Sequence, residues 1–187
     1  MQALISEAAE IPAILERMDA EGAGIVAEEA LHHFADVLGR LDSWADDFHS
    51  SALAPSPLFW FLPSNHGRRQ HIWFQNITVA SALTHFWAFR AICLTNIDQL
   101  GAFHESTAAH FDEAETLSVM ICQSIEYLMQ DRMKLFGPTS VSLPLRTAYE
   151  VFEAGGLQSA ENLSWCKDMV ADIRNRGYGF VSYFLGV

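Results

Sequence analysis

Positive charge is scarce in this sequence. Lys and Arg together make 11 of the 187 residues against 23 Asp and Glu, and the formal net charge is −12. Proteins bind a phosphate backbone through clusters of Lys and Arg that release its counterions. A chain with this charge balance is expected to repel DNA, so direct binding of nucleic acid is not predicted.

Cysteine is also scarce, with only Cys93, Cys122 and Cys166. A disulfide framework or a zinc cluster needs cysteines that are close and regularly spaced, and these three are far apart and set among apolar residues. They are predicted to be small buried side chains in a reducing compartment. No structural disulfide and no metal site is expected from them.

The sequence has no targeting or membrane-spanning pattern. Its first residues carry Glu7, Glu10, Glu16 and Asp19, whereas signal and transit peptides begin with positive charge. The most apolar stretch, 79–94, contains polar residues and is shorter than a bilayer requires. We therefore expect no membrane association and an intracellular, cytoplasmic location.

Recognisable catalytic motifs are absent. The sequence contains no HExxH, GxSxG, Ser-x-x-Lys, GxGxxG or GxxxxGK[ST] pattern, which would indicate metal, nucleophile or nucleotide chemistry. The one group of ligand-type residues is His104, Glu105, His110, Asp112 and Glu113, and a solvated helix start explains it better than a metal site. No cofactor is predicted.

What the sequence does contain is helical periodicity. Apolar residues recur at spacings of three and four, which predicts an all-α fold. We expect one domain over 1–187, with about six or seven helices around a central apolar helix at 75–99. Helices are predicted at 11–18, 25–48, 75–99, 112–134, 143–152 and 159–174, with a short apolar turn at 180–185.

Breaks between these helices are predicted at glycine and proline. Gly22 and Gly24 should end an N-terminal segment, 1–24, that holds a short helix and a turn, and Gly137-Pro138 should end the helix that starts at 112. Residues 50–70 form a Pro-rich aromatic segment, in which Pro57 to Pro63 should be extended or turned. Because this block is so apolar, it is expected to dock onto the helices.

Polar residues inside the central helix are the first functional signal. Arg90 lies on the same stripe as large apolar residues, and a buried guanidinium needs a partner. Glu126, Asp131 and Glu150 are candidates for an ion pair that fixes helix packing. Alternatively, Arg90 and His85 project into a cavity and hold the oxygen atoms of a ligand.

Aromatic residues, 12% of the chain, are the second signal. They are either solid core or the walls of an apolar pocket. If a pocket exists, the candidate donors are His85, Arg90, Tyr127 and Arg146. Its candidate substrate-binding walls are Trp60, Trp73, Trp87 and Tyr149.

Four sequence blocks, taken in order, are similar to a known family. They are Leu41-Asp42-Ser43-Trp44 with Pro57-Leu58-Phe59-Trp60, then 82–90 (ALTHFWAFR), 121–127 (ICQSIEY), and Gly137-Pro138 with 144–152 (PLRTAYEVF). Together with Leu163-Ser164-Trp165-Cys166, they resemble the C-terminal helical region of fungal binuclear zinc-cluster transcription regulators over about residues 40–185. Members of that family read DNA through an N-terminal six-cysteine cluster, and this sequence has none.

Three functions follow as hypotheses. The first is a cofactor-free cyclase or pericyclase of fungal secondary metabolism, which holds a hydrophobic polyketide or terpenoid in a reactive conformation. The second, which the resemblance implies, is a ligand-sensing or partner-binding fragment of a transcription regulator, which would be nuclear. The third is an interaction module that pairs with its own copy, as a homo-oligomer, or with a larger regulator.

Overall fold

The computed structural model describes residues 1–51, 57–63, 69–101 and 109–179. The helices in these ranges are α1 (Gln2–Glu7), α2 (Ile11–Glu21), α3 (Ala23–Ser51), α4 (Ile77–Gly101), α5 (Ala109–Leu128), α6 (Phe136–Ser140), α7 (Ser142–Ala154) and α8 (Ala160–Asn175). The same ranges also contain a two-stranded sheet of β1 (Phe59–Pro63) and β2 (Gln70–Phe74) and one 3₁₀ turn. The all-α prediction is confirmed, and the expected turn at 180–185 lies outside the described residues.

The chain divides into two compact units. Unit 1 comprises Met1–Leu53 and Phe89–Ala114, and unit 2 comprises Ala54–Ala88 and Glu115–Val187. Helices α4 and α5 thus contribute residues to both. The expectation of one domain over 1–187 stays a prediction, because compact units are defined by contacts and not by independent folding.

Unit 1 is built on α3, against which α1 and α2 pack. The stripe of α3 that faces its neighbours carries Phe34, Val37 and Leu41, all fully buried. Helix α2 has Pro12 in its first turn and ends at Gly22 with a φ of +87°, a backbone conformation that glycine adopts without strain. Only Gly22 separates α2 from α3, so the predicted break at Gly24 is wrong; Gly24 lies inside α3.

Unit 2 contains the sheet and the helices α6 to α8. Strands β1 and β2 are antiparallel, with Phe59 opposite Phe74 and Trp60 opposite Trp73. The prediction that the block from Pro57 to Pro63 is not helical is confirmed. Residues 70–74, for which no strand was predicted, pair with this block.

The predicted helix end at Gly137-Pro138 is wrong. Helix α5 ends at Leu128, and Gly137 and Pro138 lie inside α6. A proline near the start of a helix is tolerated because the first N–H groups have no intrahelical acceptor. These two residues therefore begin a helix here instead of ending one.

Gly137 is required by a close approach of backbone. A Cβ atom at this position would lie 1.9 Å from the carbonyl oxygen of Leu128 and 2.9 Å from the Cβ of Met133. Gly137→Ala is therefore expected to lower the free energy of unfolding by about 2 kcal/mol or more, the range of overpacked cores. Gly39→Ala is the control, because nothing lies within 4 Å of a Cβ there and the helix should gain up to about 1 kcal/mol. Urea denaturation of both variants measures the difference, and equal stabilities would contradict the close approach.

The net negative charge of the chain comes from unit 1. Its sequence has fifteen Asp or Glu against three Arg, whereas unit 2 has eight acidic and eight basic residues. Each of the three arginines in unit 1 bridges two carboxylates: Arg17 to Glu21 and Glu29, Arg40 to Glu7 and Glu10, and Arg90 to Asp42 and Glu113. All three arginines of unit 1 are thus paired with carboxylates, and these pairs involve six of its fifteen acidic residues.

Helix α4 is the most apolar element, as predicted. By length and composition it could cross a bilayer, with a mean hydropathy of 1.4, but 67% of that window is buried inside the protein. The core helix of a folded domain has the same composition.

Candidate functional site

An aromatic cluster forms the core beside the sheet in unit 2. Phe74 lies at its centre, with ring centroids 6.2 Å from Phe59, 6.2 Å from Trp87 and 5.3 Å from Tyr127. Trp73 meets Tyr127 edge-on at 5.6 Å, and Phe59 meets Trp87 edge-on at 5.8 Å. These separations are those of rings in direct contact, so the cluster is packed ring against ring.

Exposure changes sharply across this cluster. Phe74, Trp87 and Tyr127 are at most 4% exposed. On β1, the consecutive residues Trp60, Phe61 and Leu62 are 38%, 47% and 37% exposed. We call these three residues the β1 surface. Side chains of neighbouring strand residues point to opposite faces of a sheet, so Trp60 and Leu62 lie on one face of β1 and Phe61 on the other. Large exposed apolar side chains of this kind mark candidate interaction sites.

Strand β2 is fixed to α5 by two side-chain contacts. His71 lies 2.9 Å from the carboxylate of Glu126, measured from Nε2 to Oε2, and Trp73 packs on the ring of Tyr127. Burial raises the pKa of Tyr127, and the guanidinium of Arg132 partly opposes that shift. The sheet is therefore held through β2, and β1 is its outer strand.

A second anchor of the same unit joins the start of β2 to α8. Arg69 donates to the side-chain oxygens of Asn162 and Glu161 at 2.8 and 3.0 Å, and its guanidinium lies 4.2 Å from the ring centre of Trp165. Asn162 and Ser159 in turn donate to one oxygen of Glu115. The polar residues of this network were not singled out from the sequence, and Trp165 was named there only as part of the resemblance. A network that joins residues more than 90 positions apart leaves no local sequence pattern.

Arg90 is held by two carboxylates in unit 1. Its Nε donates to Glu113 at 2.7 Å, and its Nη1 donates to Asp42. Burial alone would lower the pKa of Arg90, but Glu113 and Asp42 more than offset this and raise it above the ordinary value. The three carboxylates suggested from the sequence are the wrong partners: Glu126 pairs with His71 and Glu150 with Arg146. Asp42 and Glu113 lie 48 and 23 residues away from Arg90, at separations that no helical periodicity reveals.

The remaining predicted donors lie in unit 2 and form no common site. His85 has its Nδ1 2.8 Å from the carbonyl of Ser81, one turn back on α4, and burial lowers its pKa. Arg146 is exposed and pairs with Glu150 on α7. Tyr149 is 9% exposed, with the ammonium of Lys167 5.8 Å from its ring centre. Of the eight predicted residues, the structure brings together Trp73, Trp87 and Tyr127 in the aromatic cluster, with Trp60 at its edge.

Two clefts lie between helices of unit 1, and none of the eight predicted site residues lines either of them. One, of about 150 Å³, lies between α2 and α3 over Ile14, Val26 and Ala30. The other, of about 440 Å³, lies between α1 and α3 beside Trp44, Asp36 and Asp47. Neither contains the convergent buried polar groups that orient a small ligand.

The three cysteines are buried and unbridged, as predicted. Burial raises the pKa of Cys93 to about 12 and also raises that of Cys122. Such thiols are inert as nucleophiles. Among the described residues, no three His, Cys, Asp or Glu side chains converge on a point that could hold a metal ion; His104 and Glu105 lie outside those residues.

Comparison with known proteins identifies no relative. No protein-family model, no curated protein and no solved structure matches this chain. The resemblance to the helical region of zinc-cluster regulators therefore stays a prediction.

Proposed function

We propose that this chain is a protein-interaction module and that the β1 surface is where a partner protein docks. The observation that carries the proposal is the exposure of Trp60, Phe61 and Leu62 in succession on the outer strand of the sheet. Trp and Phe are enriched at the centres of protein interfaces, since each buries a large rigid surface at little entropic cost.

The residues that lie beneath the β1 surface support the sheet and keep its strands in place. Phe59 and Phe74 lie on the inner side of the sheet and are packed on Trp87 and Tyr127. The contact between His71 and Glu126 holds the neighbouring strand in place. A partner would therefore meet side chains on a supported sheet, and little order would have to be gained on binding.

The side-chain contacts favour this function over the cyclase. A cyclase of the kind expected from the sequence needs His85 and Arg90 as free donors at a pocket wall. Arg90 already donates to Glu113 and Asp42, and Nδ1 of His85 is engaged by its own helix. The partner-binding fragment of a regulator, the alternative that the resemblance implied, needs no such donors.

Capture of partners from an extract of the source cells tests the proposal. The informative variant is Trp60→Ser with Phe61→Ser. The matched control is Leu135→Ser with Phe136→Ser, because these two apolar residues of unit 2 are 66% and 54% exposed but lie outside the sheet. We expect one set of proteins to be retained by the wild type and by the control, and to be lost with the β1 variant. Equal retention by all three proteins would refute the proposal.

A further inference from the structure

Helices α5 and α8 lie side by side in unit 2. The hydroxyl of Ser159, the residue that precedes α8, donates to the carboxylate of Glu115 on α5 at 2.6 Å. In the first turn of α8, the side-chain amide of Asn162 donates to the same oxygen at 3.0 Å. These two hydrogen bonds place Glu115 level with the start of α8.

Two cysteines meet further along the same pair of helices. Cys122 follows Glu115 by seven residues, and Cys166 follows Ser159 by seven residues. Seven residues are about two turns, or about 10.5 Å of rise, after which a helix presents nearly the same face again. The side chains of Cys122 and Cys166 are in hydrogen-bonding contact. The two helices therefore run in the same direction, and the two thiols face each other across their interface.

This thiol pair is enclosed by the protein. Cys122 is 2% exposed and Cys166 is fully buried. Burial raises the pKa of Cys122, as does the adjacent thiol, while the guanidinium of Arg69 acts in the opposite direction. Because the thiolate is the reactive form, the pair is unreactive while α8 is docked. Of the 16 residues of α8, only Cys166, Val170 and Ile173 are buried, so local opening of this helix costs less than global unfolding.

We propose that Cys122 and Cys166 form a reversible disulfide that joins α5 to α8, with hydrogen peroxide as the oxidant. One thiolate attacks an oxygen atom of the peroxide, the O–O bond breaks, and the sulfur becomes a sulfenic acid as one water leaves. The second thiolate attacks that sulfur, forms the S–S bond and displaces the oxygen as a second water. Two thiols and one peroxide thus give one disulfide and two waters. A small thiol reverses the reaction by exchange.

The disulfide would restrain the part of unit 2 that carries the start of β2. It would close a loop between residues 44 positions apart, which restricts the unfolded chain and so stabilises the folded one. The helix that it fixes also holds Arg69, through Asn162 and the ring of Trp165. The inference is independent of the β1 surface and stands whether or not a partner docks there.

Treatment of the purified full chain with hydrogen peroxide tests the proposal. We expect each molecule to lose two hydrogen atoms, about 2 Da by intact mass, as a thiol pair does when it forms a disulfide. Peptide mapping without reductant should find Cys122 joined to Cys166. The midpoint of thermal unfolding should rise by about 10 °C and should return to its former value after reduction with dithiothreitol.

Cys93 supplies the matched control, because it is fully buried but belongs to unit 1. We expect Cys93→Ala to form the disulfide as the wild type does, and Cys166→Ala to form none. The wild type oxidised in urea should give all three cysteine pairings, whereas the native protein should give one. This comparison needs no variant, so it decides the outcome even if a substitution prevents folding. Mixed pairings in the native protein, or no bond between Cys122 and Cys166, would overturn the proposal.

Discussion

Replacing Phe74 by alanine should destabilise the protein by about 3–5 kcal/mol, the range for an aromatic ring removed from a packed core. Phe74 is 2% exposed and touches the rings of Phe59, Trp87 and Tyr127. Its removal would leave these three rings facing a void, and the sheet would lose its main apolar contact. Chemical denaturation followed by far-ultraviolet circular dichroism measures the loss.

Phe61→Ala is the control for this substitution. The two rings belong to the same sheet, but Phe61 is 47% exposed, so a loss of at most about 1 kcal/mol is expected. A small effect at Phe74, close to that at Phe61, would mean that the cluster is loosely packed around open space. That outcome would support the aromatic pocket that the sequence left open as an alternative to solid core.

Replacing Arg90 by methionine should lower the free energy of unfolding by about 1–2 kcal/mol. Methionine keeps most of the side-chain volume but leaves Asp42 and Glu113 without the guanidinium between them. The side chain of Arg90 is 20% exposed, but those of Asp42 and Glu113 are 57% and 42% exposed, so the effect should fall between that of a surface pair and that of a buried one. Thermal and urea denaturation give the value.

Arg146→Met is the matched control, because Arg146 pairs with Glu150 on an exposed helix face. Such a pair contributes about 0.5 kcal/mol or less. The cyclase hypothesis makes the opposite prediction for Arg90: loss of ligand binding with an unchanged melting temperature. An Arg90→Met protein as stable as the control would therefore count against the structural role.

Local patterns in the sequence were sufficient for most helices. The spacing of Phe34 and Leu41 in α3, and the continuous apolar character of α4, predicted these helices to within a few residues of their ends. The sheet was harder to foresee, because strands of five residues give few alternations and Pro57 to Pro63 could equally have been a docked loop. The pairing of Trp60 with Trp73 depends on a return of the chain that no periodicity encodes.

The candidate site shows the same division between local and distant information. The sequence identified Trp60, Trp73, Trp87 and Tyr127 as aromatic candidates. The structure brings the last three together in the cluster of Phe74 and places Trp60 opposite Trp73 on β1. It did not distinguish the buried rings from the exposed ones, since burial is set by packing between distant segments. The partners of Arg90 were missed for the same reason: a carboxylate close in space is not marked by its distance along the chain.

Amide hydrogen exchange across the sheet tests most directly whether β1 is an exposed outer strand. Gln75 donates its N–H to the carbonyl of Leu58, so the register places the N–H groups of Trp60 and Leu62 in the ladder to β2 and turns that of Phe61 away from it. In the free protein, the N–H groups of Trp60 and Leu62 should therefore exchange slowly and that of Phe61 fast. Slow exchange at Phe61 in the free protein would show that the edge is already covered, and would contradict the account.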